Sequence, residues 1–223
     1  MLKLAVYDFD GVLANTIWTG YASHRRICRS FNIHFAWSDH SGDDFQDWRN
    51  WVSGNWRDNL ERLGLMDRVE EAMEIYGSVA DDRGIPSLVK GMDRTVAGLE
   101  NCLQVILTLN MRKRVLPFLE KHGLMSKITA TYGAGDLSFD KPNPGALTEV
   151  MEDYGVSPEE TVYVGDTLED VWFANEAGVV SIGMEGGYNP EERIRQGSPR
   201  YFVRNSHELL ELLRRIKKEK KKV

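Results

Sequence analysis

The pattern that most constrains this chain is a short apolar run that stops at acid. Leu2 to Tyr7 gives way to Asp8-Phe9-Asp10-Gly11, which reads as a buried strand ending in a polar loop. The pattern returns twice. Leu103 to Leu107 stops at Thr108, and Thr161 to Val164 is followed by Gly165-Asp166. Val179 to Ile182 reads as a fourth strand, and Ile128 to Thr131 as a fifth with weaker patterning.

Helix-length segments lie between these runs: 112–122, 143–154 and 168–177. Each is followed by glycine (Gly123, Gly155, Gly178), the residue a helix C-terminus prefers. Alternating strands and helices predict an α/β fold, a Rossmann-like three-layer core with a mostly parallel sheet covered on both faces. In such sheets the ligand crevice lies outside the carboxyl ends of the strands, where Asp8, Asp10, Thr108 and Asp166 all fall.

Residues 15–92 break the rhythm. They show helical patterning, as in Leu60 to Leu63 and Val69 to Tyr76, no convincing strand, and five of the six tryptophans (Trp18, Trp37, Trp48, Trp51, Trp56). This predicts an inserted α-helical cap subdomain at 15–92, with the α/β catalytic core formed by 1–14 and 93–223. The tryptophans are expected to pack the cap rather than stack on a substrate, because aromatics most often fill cores.

Composition narrows the function classes. With 42% hydrophobic and 28% charged residues, the chain is of the ordinary globular type. A net charge of −6 and a pI near 5.5 argue against a general nucleic-acid binder, which needs clustered Lys and Arg. The basic run Lys217 to Lys222 reads as a solvated, frayed helix end. Cys28 and Cys102 have no metal-ligand spacing and read as reduced core thiols. No apolar stretch approaches the ~20 residues of a membrane span, and the N-terminal run meets acid too early for a secretion signal. The default compartment is the cytoplasm, and a monomer or homodimer is expected.

Asp8 and Asp10 are two apart at a strand end, so extended geometry gives them one face and turns Phe9 to the other. One carboxylate of such a pair can attack phosphorus while the other moves the proton. An Asp-x-Asp-Gly alone could equally be a turn or a simple cation site. Thr108-Leu109-Asn110 offers a hydroxyl and backbone N–H groups to phosphoryl oxygens, although a threonine before a helix is also a plain N-cap. Lys141, held before Pro142-Asn143-Pro144, could neutralise both phosphate and Asp8; otherwise it is a surface lysine. Asp166 can join Asp8 around an oxygen-loving cation, and Asp170, one turn on, can orient Lys141 or a metal-bound water. Helix N-terminal charge is the competing role for these two acids.

Asp8-x-Asp10-Gly-Val-Leu-Ala-Asn-Thr, the Thr108 strand end, Lys141-Pro-x-Pro and Gly165-Asp166-x-x-x-Asp170 follow the order and spacing of a known set. The chain resembles the haloacid dehalogenase-like hydrolase superfamily, in the branch of phosphoglycolate phosphatase and β-phosphoglucomutase, over roughly residues 1–16 and 95–190. The resemblance implies a Mg2+-dependent phosphatase acting on a small phosphorylated metabolite. Asp8 would be the nucleophile that forms an aspartyl-phosphate, and Asp10 the acid and base that also binds metal through its backbone carbonyl. Thr108, with the Leu109-Asn110 segment, and Lys141 would hold the phosphoryl group. Asp166 would be the remaining metal ligand, supported by Asp170. Many relatives carry Asn directly after the hydroxyl residue, where this chain has Leu109. The alternative within the resemblance is a phosphomutase or phosphotransferase, passing the phosphoryl group to another hydroxyl. A non-catalytic binding protein on the same fold is disfavoured by the complete residue set.

Overall fold

The computed structural model describes residues 1–34 and 43–219. Trp37 and the last lysines of the 217–222 run lie outside them. Strands β1 (Leu4–Tyr7), β4 (Leu103–Leu107), β5 (Ala130–Tyr132), β6 (Thr161–Gly165), β7 (Val180–Met184) and β8 (Tyr201–Val203) form one sheet in the order β5-β4-β1-β6-β7-β8. Every pairing in it is parallel. Two short strands, β2 (Ala14–Asn15) and β3 (Ser87–Leu88), make a separate antiparallel ribbon.

The strands are apolar on both sides because both faces are covered. Alternate residues of β1 show this. Ala5 and Tyr7 pack with helices α5 (Met92–Gly98), α6 (Arg112–Lys121) and α10 (Ser206–Lys218) through Met92, Phe118 and Leu209. Leu4 and Val6 pack on the other face with α7 (Gly145–Tyr154) and α8 (Leu168–Glu176) through Leu147, Val150 and Phe173. The short helix α9 (Glu191–Gln196) lies between β7 and β8 in the chain and buries Ile194. The expected three layers are present, and the three glycines stand in the left-handed region just past α6, α7 and α8.

Among the described residues from Ile17 to Arg83 the chain forms four helices, α1 (Ile17–Ser30), α2 (Asp44–Trp51), α3 (Trp56–Arg62) and α4 (Val69–Arg83). They enclose their own apolar cluster around Ile27, Cys28, Trp48, Leu60 and Ala72, which also takes in Tyr188 from the loop after β7. Trp48 is fully buried there, whereas Trp18 is half exposed and stacks on Phe45 at 4.1 Å. One expectation needs correction: residues 15–92 do contain a strand, β3. Its two residues show no alternation, and it exists because it pairs with β2, at the point where the chain leaves the core.

Chain order places the crevice. From β1 the chain moves outward to β4 and β5, returns to β6 on the other side of β1, and proceeds to β7 and β8. The order therefore reverses between β1 and β6, where α/β sheets bind their ligands. Asp8 follows β1 and Asp166 follows β6. Phe9 points away from the crevice, buried edge-on against Phe118 at 4.9 Å.

Candidate active site

Asp8 continues the sheet ladder by donating its N–H to Val164 O at 2.9 Å, so its side chain emerges at the switch point. The chain then turns at Gly11, whose φ is +81°, a value glycine adopts without strain. A Cβ on Gly11 would lie 2.2 Å from Asp166 Oδ2. The tight turn thus doubles as one wall around Asp166. Gly187 is the opposite wall, where a Cβ would come within 1.9 Å of the same oxygen.

Lys141 Nζ donates to Asp8 Oδ1 at 2.9 Å and to Asp170 Oδ1 at 2.7 Å. Its side chain is only 10% exposed, which rules out the surface-lysine role. Burial works against its ammonium, but Asp170 and Asp8 together hold its pKa above the ordinary range. Asp170 is fully engaged: Oδ1 also accepts from Tyr163 OH at 2.9 Å, and Oδ2 accepts from Thr167 N and Oγ1 at 3.2 and 2.6 Å. Burial raises its pKa, yet Lys141 and these donors pull it below the usual value. It is an anion whose lone pairs are in use.

Asp166 differs. It is fully buried; Oδ2 accepts from Tyr188 N at 2.5 Å, and Oδ1 has no hydrogen-bond partner. Burial, then the charges of Asp170 and Asp8, push its pKa well above the ordinary carboxylate value. An orphaned oxygen in an acid-rich, buried setting is destabilising unless a cation meets it. Carboxylate oxygens of Asp8, Asp166 and Asp170 lie within 4.8 Å of one another, a donor set suited to a hard dication. The hydrogen bonds leave Asp8 and Asp166 as the pair that fits, with Asp170 serving Lys141.

Burial raises Asp8 to a pKa of about 7, with Asp170 and Asp10 adding to the rise and Lys141 opposing it. A divalent cation on the same oxygens acts in the opposite sense and favours the ionised form. Burial also raises Asp10, against hydrogen bonds from Thr16 and Asn110. Its Oδ2 accepts from Asn110 Nδ2 at 3.1 Å, while Asn110 N donates to Thr108 Oγ1 at 3.0 Å. The side chain of Asn110 thus holds Asp10, a use that the Leu109 displacement did not foretell.

Asp8, Asp10, Thr108, Leu109, Asn110, Lys141 and Asp166 line one cavity of about 380 Å³. Asp170 stands behind Lys141. Its far wall comes from the helical unit and includes His24, Trp56, Met73 and Tyr76, with Arg114 of α6 beside them. Sequence reading missed His24, Met73, Tyr76 and Arg114, since none departs from the patterning of its helix, and it expected Trp56 only to pack the cap. Trp56 therefore faces the cavity, whereas Trp48 fills a core. Among the described residues no helix is long and apolar enough to cross a membrane.

A parallel sheet with acids at its switch point, roofed by helices inserted after the first strand, defines a capped, Rossmann-like α/β protein with an acid-lined crevice. The chain belongs to the haloacid dehalogenase-like hydrolase family, whose profile matches residues 5–184. It is 27% identical to phosphoglycolate phosphatase 1 of Pseudomonas aeruginosa over 93% of this chain and 78% of the relative. It is 24% identical to phosphoglycolate phosphatase of Synechococcus elongatus over 98% of this chain and the whole relative. Among solved structures, a hydrolase from Pseudomonas syringae superposes with a TM-score of 0.79 at 19% identity, covering 97% of this chain and 99% of that one.

Proposed function

We propose that the chain is a phosphatase that hydrolyses a small phosphomonoester with Mg2+ through an aspartyl-phosphate on Asp8. The observation that carries the reading is the division of labour among the acids. Asp8 faces a cation and is free to attack, Asp10 is held apart by Asn110, Asp166 keeps a bare oxygen, and Asp170 anchors Lys141. The similarity to phosphoglycolate phosphatases supports the class of substrate.

Asp8 attacks phosphorus through a carboxylate oxygen, forming an O–P bond as the ester O–P bond breaks in line. Asp10, biased towards its protonated form, gives its proton to the leaving oxygen. Asp10 then takes a proton from water as the water oxygen attacks phosphorus. The Asp8–phosphorus bond breaks, and inorganic phosphate and free Asp8 result. Lys141 and Thr108 hold phosphoryl oxygens throughout, and Lys141 lowers the repulsion between Asp8 and an anionic substrate. Asp8, the backbone carbonyl of Asp10, and Asp166 would hold Mg2+, which when bound supplies charge to stabilise the phosphoryl oxygens.

Purified chain is expected to release inorganic phosphate from an aryl phosphate and from phosphoglycolate when Mg2+ is added, and Asp8→Asn to abolish release. Persistence of activity in Asp8→Asn would remove the covalent mechanism.

A further inference from the structure

The loop Gly187–Asn189 belongs to two structures at once. On its core side, Tyr188 N donates to Asp166 Oδ2 at 2.5 Å, Asn189 N donates to Asp166 O at 3.3 Å, and Asn189 Oδ1 accepts from Leu168 N at 3.0 Å. The loop therefore sets both the carboxylate of Asp166 and the start of α8. On its other side it is gripped by the helical unit. The Arg49 guanidinium donates to all three carbonyls of the loop: Gly187 O at 3.2 Å, Tyr188 O at 3.3 Å and Asn189 O at 3.0 Å.

The grip is mutual. A helix end leaves its last carbonyls without intrahelical partners, and the core supplies donors to the end of α2. Asn189 Nδ2 donates to Arg49 O at 3.2 Å and Val52 O at 3.0 Å, and Arg193 donates to Asn50 O. The Tyr188 ring sits in the apolar cluster of the helical unit, 5.6 Å from the Trp48 ring. Asn189 is completely buried with both ends of its amide in use.

We infer that Arg49 and Asn189 are positioning residues for Asp166: docking of the cap through Arg49 fixes the Gly187–Asn189 turn, and the turn aims the bare Oδ1 of Asp166 at the metal. The three loop carbonyls face Arg49, so the Tyr188 amide is directed the other way, onto Asp166. A loop released from Arg49 would let that amide, and the carboxylate it holds, swing by fractions of an ångström. Groups that orient a metal ligand in this way commonly change affinity by about 10–100-fold when removed. The cap thereby contributes to the metal site without touching the metal. This inference rests on the reading of Asp166 as the ligand.

The test is calorimetric titration of Mg2+ alone into the full chain, free of substrate. Arg49→Met is expected to weaken Mg2+ binding about tenfold and to lower kcat on an aryl phosphate more than it raises KM. Arg26→Ala, which removes the same charge from an exposed pair with Asp82, is expected to bind Mg2+ like wild type. A folded Arg49→Met with wild-type affinity overturns the inference, as does a wild-type chain that binds no Mg2+. Should Arg49→Met not fold, Arg49→Lys keeps the charge and reaches fewer carbonyls. It is expected to bind more weakly than wild type but less so than the about tenfold loss set for the full removal of the group, and wild-type affinity there overturns the inference equally. Asp166→Asn separates this from the phosphatase reading. If it abolishes Mg2+ binding while no form of the chain releases phosphate, the phosphatase reading fails and the Arg49 titrations still decide the brace.

Discussion

His24 offers a stability prediction whose size follows from its surroundings. It is buried in α1 against the cavity, donates Nδ1–H to Gly20 O at 2.9 Å, and has the Trp48 and Trp51 rings within 5.8 and 5.7 Å. Burial depresses its pKa from 6.5 to about 4, with the bond to Gly20 opposing. The folded chain therefore keeps His24 neutral over a range in which the unfolded chain has protonated it. Between pH 6.5 and 4 the unfolded state binds more protons, so stability falls as pH falls. The full penalty below pH 4 is about 3 kcal/mol, and about 2 kcal/mol is already present at pH 5. Asp8, raised to about 7, titrates in the opposite sense, so the wild-type curve alone does not isolate the term. His24→Asn retains a donor for Gly20 O and cannot titrate here. Urea unfolding followed by tryptophan fluorescence, at pH 8 and pH 5, should show the variant gaining about 2 kcal/mol on wild type between the two conditions. Parallel curves for the two proteins would refute the argument that burial holds this ring neutral.

Gly187→Ala places a methyl group 1.9 Å from Asp166 Oδ2; the carboxylate must move, and a displacement near 1 Å is expected to lower kcat about 100-fold in a phosphate-release assay. Lys141→Met leaves Asp8 and Asp170 buried without their shared cation. It should abolish activity and remove about 3–5 kcal/mol from the urea unfolding free energy, whereas an unchanged midpoint would show the ion pairs to be incidental. Phe118→Ala removes the fully buried partner of Phe9 and is expected to destabilise by about 3–5 kcal/mol, with activity falling as well because the Asp8–Gly11 turn loses its backing.

Where a residue's position depended only on its place along one strand, sequence sufficed to bring it to the cavity. Asp8, Asp10, Thr108 and Asp166 stand where apolar runs stop, and the sheet brings those ends together whatever the details of packing. The parallel core was legible for the same reason, through apolar runs alternating with glycine-ended helices. Strand β8 was not, since Tyr201–Val203 is three residues long at a sheet edge and carries no periodicity. The ribbon of β2 and β3 was hidden because each strand has two residues and only their mutual pairing defines them. The hold of the Asn110 side chain on Asp10 was not legible, because the contact spans 100 positions. Arg49 and Asn189 are 140 apart, and nothing local marks either. Side chains that act across segments are invisible until the segments meet.

That ribbon has a further consequence. Ala14–Asn15 and Ser87–Leu88 bring the two ends of the inserted segment side by side, so the sheet encounters only a doorway of fixed width. Closing a loop through it depends weakly on the number of residues inside, rising by about 0.6 kcal/mol for each doubling. The insertion can therefore lengthen, shorten or exchange helices with little strain on the sheet, and variation within this lineage can concentrate in the roof while the acids beneath keep their spacing.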